Sequence, residues 1–348
     1  DAQESRGLGD VYKRQPPYVM PAHPLAVTAE GTPDWAAQRL LTRYYAACGA
    51  SGVGVAVHTT QFEIHHDHDV LRRVFAEAAD VVQQFGPETS LVAGIAGDAE
   101  QAATEAAMAR DLGYVAALLS PYGLTDRTEA GTLARAKAVA TELPVVGFYM
   151  QEAVGGFYLS PKFWDELLQI ENLVAIKVAP FDRYRTKDVA EEILRSGRDD
   201  VLLLTGNDDA IVADLLLPYR VADKELRFSG GLLGQWAVGT KAAVNLTRRI
   251  WDGNSSPVDQ DVLATATAMV DVNQALFDPE HRFAGSIAGV NELLRQQGLL
   301  ASSRCLSDTE VLADGQADRI ALMRERYPEL LDETFIAEHI DAWKRDVS

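Results

Sequence analysis

The stretch Leu173-Val174-Ala175-Ile176-Lys177-Val178-Ala179-Pro180 has the composition of a short buried strand, because it is apolar and rich in β-branched residues. Of the eight lysines in the chain, only Lys177 lies inside an apolar run. Burial disfavours the charged form of an amine, and a neutral amine attacks carbonyl carbons. The stretch therefore predicts either a reactive lysine or a strand-end lysine whose amine extends into solvent.

Composition and charge restrict the kinds of partner. The 348 residues carry 32 Lys and Arg against 51 Asp and Glu, so the net charge is −19. This acidity argues against nucleic acid and anionic membranes as partners. The hydrophobic fraction of 47% is typical of a globular protein, and no apolar run approaches the length of a membrane span. The chain has only two cysteines, distant in sequence, and no signal-peptide pattern, which predicts a cytoplasmic protein.

Strand-like and helix-like patterns alternate eight times through the first 250 residues. The predicted strands are near-continuous apolar runs at 23–28, 53–57, 91–96, 115–119, 145–149, 173–180, 201–204 and 226–229. This pattern favours an α/β fold, a (β/α)8 TIM barrel with a C-terminal helical extension, over an open doubly wound sheet. We expect an N-terminal tail at 1–21, the catalytic barrel at 22–255 and the helical extension at 256–348.

In a barrel of this kind the chemistry lies at the C-terminal ends of the strands. The residues at these predicted ends are mostly hydroxyls and glycines, together with one lysine: His58-Thr59-Thr60, Ser120-Pro121-Tyr122-Gly123, Phe148-Tyr149, Lys177, Gly206 and Gly230-Gly231. Such a set suits the binding of a small, oxygen-rich carbonyl compound and proton transfer on it.

These strand-end motifs resemble those of the dihydrodipicolinate synthase and N-acetylneuraminate lyase family, which are class I aldolases with (β/α)8 barrels. The family has a tyrosine at the end of strand five and a lysine at the end of strand six, and Tyr149 and Lys177 match this pair without insertion. The resemblance implies that Lys177 forms a Schiff base with a 2-keto acid such as pyruvate. It implies that Tyr149 relays protons as general acid and base.

Other site residues are also implied by the resemblance. The family's Gly-Thr-Thr-Gly-Glu turn after strand two is represented by His58-Thr59-Thr60-Gln61-Phe62, so Thr59 and Thr60 would hold the substrate carboxylate. Gly206 and the run Gly230 to Gly234 resemble the glycine turns after strands seven and eight. The synthase branch of the family has two adjacent tyrosines after strand four, and Tyr122 matches the first of them. His58 ends a strand, and we expect it to face the substrate.

The chain departs from the synthase branch at two positions. Gly123 replaces the second tyrosine, and Val154 replaces an arginine that would bind a second carboxylate. These changes argue against aspartate semialdehyde as a substrate. Gln61, Gln151 and Glu152 would give a pocket rich in amide and acid groups, which suggests a polyhydroxylated or uncharged partner. The sequence does not choose between aldol cleavage and dehydration, since both proceed through one enamine.

Two alternatives and several minor interpretations stay open. His58 and the cluster His65-His66-Asp67-His68 could hold a divalent metal in a barrel hydrolase or aldolase, although a solvated loop is the simpler interpretation. A non-catalytic keto-acid binding protein would have the same scaffold. Asn207-Asp208-Asp209 suits a helix cap, and Arg183 or Arg185 could hold a carboxylate. We expect no cofactor, a small keto-acid ligand, and a homodimer or homotetramer.

Overall fold

The computed structural model describes residues 16–253 and 257–348 and forms a parallel barrel with helices between its strands. The eight barrel strands are β1 Tyr18–Pro21, β2 Gly52–Val55, β3 Ser90–Ile95, β4 Ala116–Leu119, β5 Val145–Met150, β6 Leu173–Ala179, β7 Leu202–Thr205 and β8 Gly230–Leu233. Helices that follow them in turn are α1 Trp35–Cys48, α2 His68–Phe85, α3 Ala99–Asp111, α4 Glu129–Val139, α5 Pro161–Leu168, α6 Arg183–Ser196, α7 Ile211–Leu216 and α8 Thr240–Asp252.

All neighbouring strands pair in parallel, in the order β1-β8-β7-β6-β5-β4-β3-β2. Beyond β1, Ala22 bridges to Gly54 of β2, and the His23 N–H donates to the Gly54 carbonyl at 2.8 Å. This contact joins the two ends of the sheet. The predicted (β/α)8 barrel is therefore confirmed, and the open doubly wound sheet is excluded.

Alternation along the strands separates two cores. The inner core contains residues of the strands and of the segments directly continuing them: Tyr18, Met20, Ala22, Val57, Val92, Ala116, Leu118, Val146, Val174, Ala175, Leu204 and Leu232. The larger outer core fills the space between strands and helices. A side chain on a strand thus belongs to one core or the other, and this decides which side chains can reach the barrel mouth.

The predicted first strand at 23–28 is wrong, because β1 is Tyr18–Pro21. Pro16 and Pro17 precede this short strand and Pro21 is its last residue, so its composition differs from that of the other barrel strands. Proline is tolerated at strand ends, where its missing N–H is not needed. The predicted tail at 1–21 therefore includes the first barrel strand, while residues 1–15 lie outside the described part of the chain.

The predicted eighth strand at 226–229 is also displaced, because β8 is Gly230–Leu233. Residues Lys224–Leu226 instead pair with Tyr219–Val221 in a small antiparallel hairpin. The glycines belong to the strand and not to a turn after it. A Cβ at Gly230 would collide with the Tyr18 carbonyl oxygen, and one at Gly231 would lie 2.7 Å from the Thr205 carbonyl oxygen. Close approach of neighbouring backbones thus explains both glycines.

The C-terminal part is helical, as predicted, with α9 Gln260–Phe277, α10 Ser286–Gln296, α11 Gln316–Arg326 and α12 Glu333–Asp346. Asp332 joins this part to the barrel. Its carboxylate accepts hydrogen bonds from the Lys241 and Ala242 amides at the start of α8 and from the Tyr44 hydroxyl of α1. The predicted boundary at 255/256 lies outside the described residues, so the domain division stays a prediction.

Candidate active site

Lys177 lies in the second half of β6 with its side chain inside the barrel, and it is 8% exposed. Its Nζ lies 4.4 Å from the centre of the Phe148 ring on the neighbouring strand β5. Burial lowers the pKa of the Lys177 amine from 10.5 to about 8, and the negative charge of Asp208 opposes this shift. Burial therefore increases the fraction of the amine that is neutral near physiological pH.

Gly206, directly after β7, makes room for this lysine. A Cβ at position 206 would lie 2.5 Å from Lys177 Cε and 2.8 Å from the Ala179 Cβ. The Gly206 N–H also donates to the Val178 carbonyl of β6 at 2.8 Å. Gly206 thus lies at the site, as predicted, and the structure gives it a packing role beside the lysine.

A cavity opens above Lys177 at the C-terminal ends of the strands. Five phenylalanines contribute much of its wall: Phe62, Phe148, Phe181, Phe277 and Phe283. The polar side chains that line it with Lys177 are His58, Thr59, Ser120, Gln151, Asp208 and Ser286. Phe277, Phe283 and Ser286 come from the C-terminal extension, so this extension forms part of the site. Their contribution has no signature in local sequence patterns.

Tyr149 does not face Lys177. In the β5–β6 ladder, Phe148 is the residue paired with Lys177, and Tyr149 is paired with Val178. Tyr149 is 1% exposed in the outer core, where its ring packs against Trp164 at 5.2 Å and its hydroxyl oxygen accepts from the Leu159 N–H at 3.4 Å. Burial raises its phenol pKa.

The predicted proton relay through Tyr149 therefore does not fit the geometry. Alternation along a strand places adjacent residues on opposite faces, so a match displaced by one position turns the side chain out of the site. Phe148 occupies the position that faces the lysine. The β5–β6 pairing shifts register between Val145 and Val146, so residue spacing in the sequence alone does not predict which residue pairs with Lys177.

The turn after β2 brings Thr59 to the cavity wall, but its hydroxyl is already engaged. Thr59 Oγ1 donates to the Ala22 carbonyl at 3.0 Å, with the His23 carbonyl at 3.3 Å. Thr60 Oγ1 donates to the His23 carbonyl at 2.6 Å and accepts from the Val57 N–H. A hydroxyl has one proton to donate. Both threonines therefore fix this turn against the segment after β1, and Thr60 does not line the cavity.

His58 is half-buried beside Phe62, with ring centres 5.6 Å apart, and it lines the cavity as expected. Burial lowers the pKa of its imidazole from 6.5 to about 4, and the positive charge of Lys177 lowers it further. His58 is therefore neutral at physiological pH, when one ring nitrogen donates a hydrogen bond and the other accepts one.

Asp208 is a site residue that the sequence interpretation missed. We expected Asn207, Asp208 and Asp209 to cap a helix, but α7 begins at Ile211 after Ala210, without a side-chain cap. Asp208 instead lines the cavity, and its Oδ1 accepts from the Gln235 N–H at 3.0 Å. Burial raises the pKa of its carboxyl from 3.8 to about 7, against the opposing effect of Lys177. The sequence signal that could have indicated this role is the pair of adjacent aspartates, Asp208 and Asp209, before a short helix that needs only one capping residue.

The remaining predicted binding residues divide into two groups. Gln151 lines the cavity, whereas Gly230 and Gly231 do not. Tyr122 lies one layer behind the cavity: its ring stacks on Phe62 at 4.7 Å and its hydroxyl lies 2.9 Å from His66 Nε2.

The expected amide- and acid-rich pocket is not formed. Gln61 is buried, and its side-chain oxygen accepts a hydrogen bond from the Leu306 N–H at 2.5 Å. Glu152 is exposed and pairs with Arg185 at 2.6 Å. Arg183 is likewise paired, with Asp214. Only Gln151 of the three predicted polar residues therefore reaches the cavity.

The histidine cluster is dispersed by the fold. His65 is buried, with Nδ1 2.9 Å from Glu105 Oε2 and Nε2 3.1 Å from the Ala56 carbonyl oxygen, whereas His66 contacts Tyr122 and His68 begins α2. Within residues 16–253 and 257–348, no three His, Cys, Asp or Glu side chains converge in a group that could hold a metal ion. The metal-dependent alternative thus loses its proposed ligands.

The fold and the cavity define a (β/α)8 barrel with a buried lysine on its sixth strand and a helical extension over its mouth. The model of the dihydrodipicolinate synthetase family matches residues 19–219, more than half of the chain. The chain belongs to this family. No curated protein matches it in sequence. None of the helices in the described part has the length and apolar character required to cross a membrane.

Solved structures with the same fold are similar over most of their length. A monomeric dihydrodipicolinate synthase variant is 16% identical, with a TM-score of 0.75 over 90% of this chain and 97% of the other. The chloride-inhibited dihydrodipicolinate synthase from Acinetobacter baumannii, complexed with pyruvate, is 20% identical. Its TM-score is 0.72 over 88% of this chain and 97% of the other. N-acetylneuraminate lyase from Fusobacterium nucleatum, complexed with pyruvate, is 15% identical. Its TM-score is 0.71 over 89% of this chain and 96% of the other. At these identities the similarity concerns the fold.

Proposed function

We propose that this protein is a lyase that forms a Schiff base between Lys177 and a 2-keto acid. One observation carries the proposal: a lysine inside the barrel, with its amine pKa lowered to about 8, opens into a cavity at the C-terminal ends of the strands. Pyruvate in two related structures supports a keto acid as the donor. The family supports lyase chemistry.

The residues suggest how the reaction proceeds. The neutral Lys177 amine attacks the keto carbon, water leaves, and a protonated imine remains. This cation withdraws electrons from the neighbouring carbon, whose C–H bond then breaks to give an enamine. The enamine either attacks an aldehyde, with carbon–carbon cleavage as the reverse, or forms during loss of water from a hydroxylated keto acid. The turn that carries Thr59 remains our proposal for the carboxylate end of the substrate; for this the Thr59 hydroxyl must give up its bond to the Ala22 carbonyl when the substrate binds, because a carboxylate only accepts hydrogen bonds.

The cavity wall suggests the chemistry of the part of the substrate that lies away from the carboxylate. Five phenylalanines line the cavity, and two of the three polar groups expected there are turned away. Apolar walls favour apolar ligand surface, because contact removes both from water. Of the polyhydroxylated or uncharged partner expected from the sequence, we therefore keep the uncharged alternative, as an apolar, preferably aromatic, aldehyde or keto-acid substituent.

The alternative of a non-catalytic keto-acid binding protein is favoured by one observation, the phenylalanine that faces Lys177 in place of a phenol. A binding protein would be stabilised by keto acids against heat without turnover. A lysine is costly to bury, which favours a chemical role for it. The two proposals differ in whether Lys177 becomes covalently attached.

The test is intact-mass spectrometry after borohydride reduction in the presence of pyruvate and of larger keto acids. We expect a mass increase of one reduced ligand, mapped to Lys177 and absent from Lys177→Ala. Thermal shift identifies ligands that bind. A ligand that stabilises the protein but leaves no adduct on Lys177 would refute the Schiff base and favour the binding protein.

The assembly and location also remain proposals. We propose a homodimer or homotetramer in the cytoplasm, although one structural relative is described as a monomeric variant. Light scattering coupled to size-exclusion chromatography distinguishes these states from a 37.9 kDa monomer.

A further inference from the structure

The proposed chemistry needs a group that moves protons, and none of the described residues that line the cavity carries a phenol. Phe148 occupies the facing position on β5, and Tyr149 belongs to the outer core. Among the described residues that line the cavity, those with side chains that titrate in the ordinary pH range are His58, Lys177 and Asp208. Because Lys177 would carry the substrate, the proton acceptor must be one of the other two or a bound water.

We propose that Asp208 is the catalytic acid–base residue that exchanges protons with the substrate carbon next to the Lys177 imine. This inference rests on the proposed Schiff-base function and extends it. It gives the proton-transfer role to a residue on the loop after β7 and not to strand β5.

The position of Asp208 is fixed from two directions. Its Oδ1 accepts from the Gln235 N–H at 3.0 Å, and its backbone carbonyl accepts from the Asn273 side chain of α9 at 2.5 Å. Among the other described residues, none donates a hydrogen bond to its Oδ2, which leaves this oxygen accessible to a ligand. Gly206, two residues earlier, packs directly on the lysine side chain. The loop therefore holds the carboxyl at the same mouth as the amine.

Electrostatics distinguish Asp208 from His58. The Asp208 carboxyl has a pKa raised to about 7 by burial, with Asp209 raising it further and Lys177 lowering it. A group titrating near the working pH is effective both as acid and as base. The pKa of His58, about 4, makes its imidazole a weak base, and Lys177 is one cause. A protonated imine at Lys177 would keep that positive charge. His58 therefore suits hydrogen bonding to the substrate.

The proposed step moves one proton between the substrate and Asp208. In the pyruvate imine the C3–H bond breaks and its electron pair forms the C2=C3 bond of the enamine, while the iminium nitrogen becomes neutral. The proton passes to the Asp208 carboxylate. In the reverse direction the carboxylic acid returns a proton to C3. In heavy water the same cycle replaces pyruvate hydrogens by deuterium, which gives an assay that needs no second substrate.

The experiment compares wild-type protein with Asp208→Asn in two measurements. The first is the equilibrium yield of the borohydride-reduced pyruvate adduct on Lys177. The second is the rate of deuterium incorporation at pyruvate C3, followed by NMR at pH 7. We expect Asp208→Asn to retain the adduct, because the amide oxygen can still accept from Gln235. Its exchange rate should fall by roughly 10²–10⁴-fold, the usual contribution of a general acid–base group.

Two further variants control the interpretation. Glu152→Gln makes the same carboxylate-to-amide change on an exposed residue of the loop after β5, and it should keep the wild-type exchange rate. His58→Gln tests the competing base. Exchange that survives in Asp208→Asn, or that is lost only in His58→Gln, would overturn the proposal. A wild-type protein without any adduct would instead refute the underlying Schiff base, so the two failures are distinguished.

Discussion

At the scale of single residues, the site depends on a lysine that the fold makes unusually acidic. Lys177 is surrounded by the inner wall of the barrel, where burial disfavours its charged form and the partly buried carboxyl of Asp208 favours it. The same burial that lowers the lysine pKa raises that of Asp208. The two shifts bring an amine and a carboxyl of ordinarily distant pKa values close together, within the range where both exchange protons near neutral pH.

The pH dependence of imine formation is the first prediction. Only the neutral amine attacks the keto carbon, so the initial rate of adduct formation with pyruvate should rise with pH and level off above about 8. Trapping with cyanoborohydride between pH 6 and 9.5 measures this rate. A rate that still rises steeply at pH 9.5, as for a lysine with the ordinary pKa of 10.5, would contradict the buried environment.

Gly206→Ala is the second prediction. The added Cβ would lie 2.5 Å from Lys177 Cε, so the lysine side chain must shift. A displacement of about 1 Å at a reacting group costs on the order of 10²-fold in rate. We expect this loss in the rate of adduct formation, with a far-UV circular dichroism spectrum like that of the wild type. An unchanged rate would show that the lysine does not need the space at position 206.

At the scale of elements, the loops between strands and helices are held by buried polar contacts. The segment from Val57 to His66 carries His58, Thr59 and Phe62 to the cavity. Its threonines bind carbonyls after β1, and His65 is held by Glu105 of α3. Loop residues positioned by a rigid scaffold are a common basis for binding sites.

Glu105→Gln is the third prediction and tests this anchoring. The Glu105 carboxylate accepts from His65, from the Ala96 N–H and from Gln101, and it is fully buried. An amide has only one accepting oxygen, so at least one buried donor should lose its partner. We expect a loss of roughly 1–3 kcal/mol in the free energy of unfolding. Urea denaturation measures it, with the exposed Glu100→Gln on the same helix as a control that should change little.

At the scale of the whole molecule, the extension after the barrel completes the site. Phe277 and Phe283 come from the extension and lie against the cavity opposite the strand ends. Phe283 meets Phe181 edge to face, with ring centres 5.7 Å apart. Segments more than a hundred residues apart in the chain therefore form one apolar wall.

Phe283→Ala is the fourth prediction. Loss of the ring should weaken binding of an aromatic aldehyde acceptor by roughly 10–100-fold, seen as a higher KM in condensation with pyruvate. Deuterium exchange of pyruvate alone should change only a few-fold, because pyruvate binds at the lysine end. Tyr184→Ala, which removes an exposed aromatic ring of α6, is the control. Equal effects on both measurements would argue against an apolar acceptor subsite.

The sequence by itself determined the barrel and the helical extension and placed one lysine in an apolar strand, because these depend on local apolar periodicity. Whether the lysine amine stays inside the barrel or extends into solvent was left open by the sequence and decided by the tertiary structure. The sequence also placed His58, Thr59 and Gly206 at the strand ends, and in the structure all three line the cavity; their roles stay predictions. The tertiary structure alone decided that Phe148, and not Tyr149, faces the lysine. It likewise decided that Asp208 lines the cavity and that Phe277 and Phe283 cover it.

The physical reason is that strand pairing and long-range packing are not local properties. One residue of register reverses the face to which a side chain points, and the register of β5 is altered by an irregularity at Val145 and Val146. An acidic residue before a helix has the same local pattern whether it caps the helix or enters a cavity. Which of these occurs at Asp208 depends on Gln235 and on α9, segments that approach it only in the folded chain.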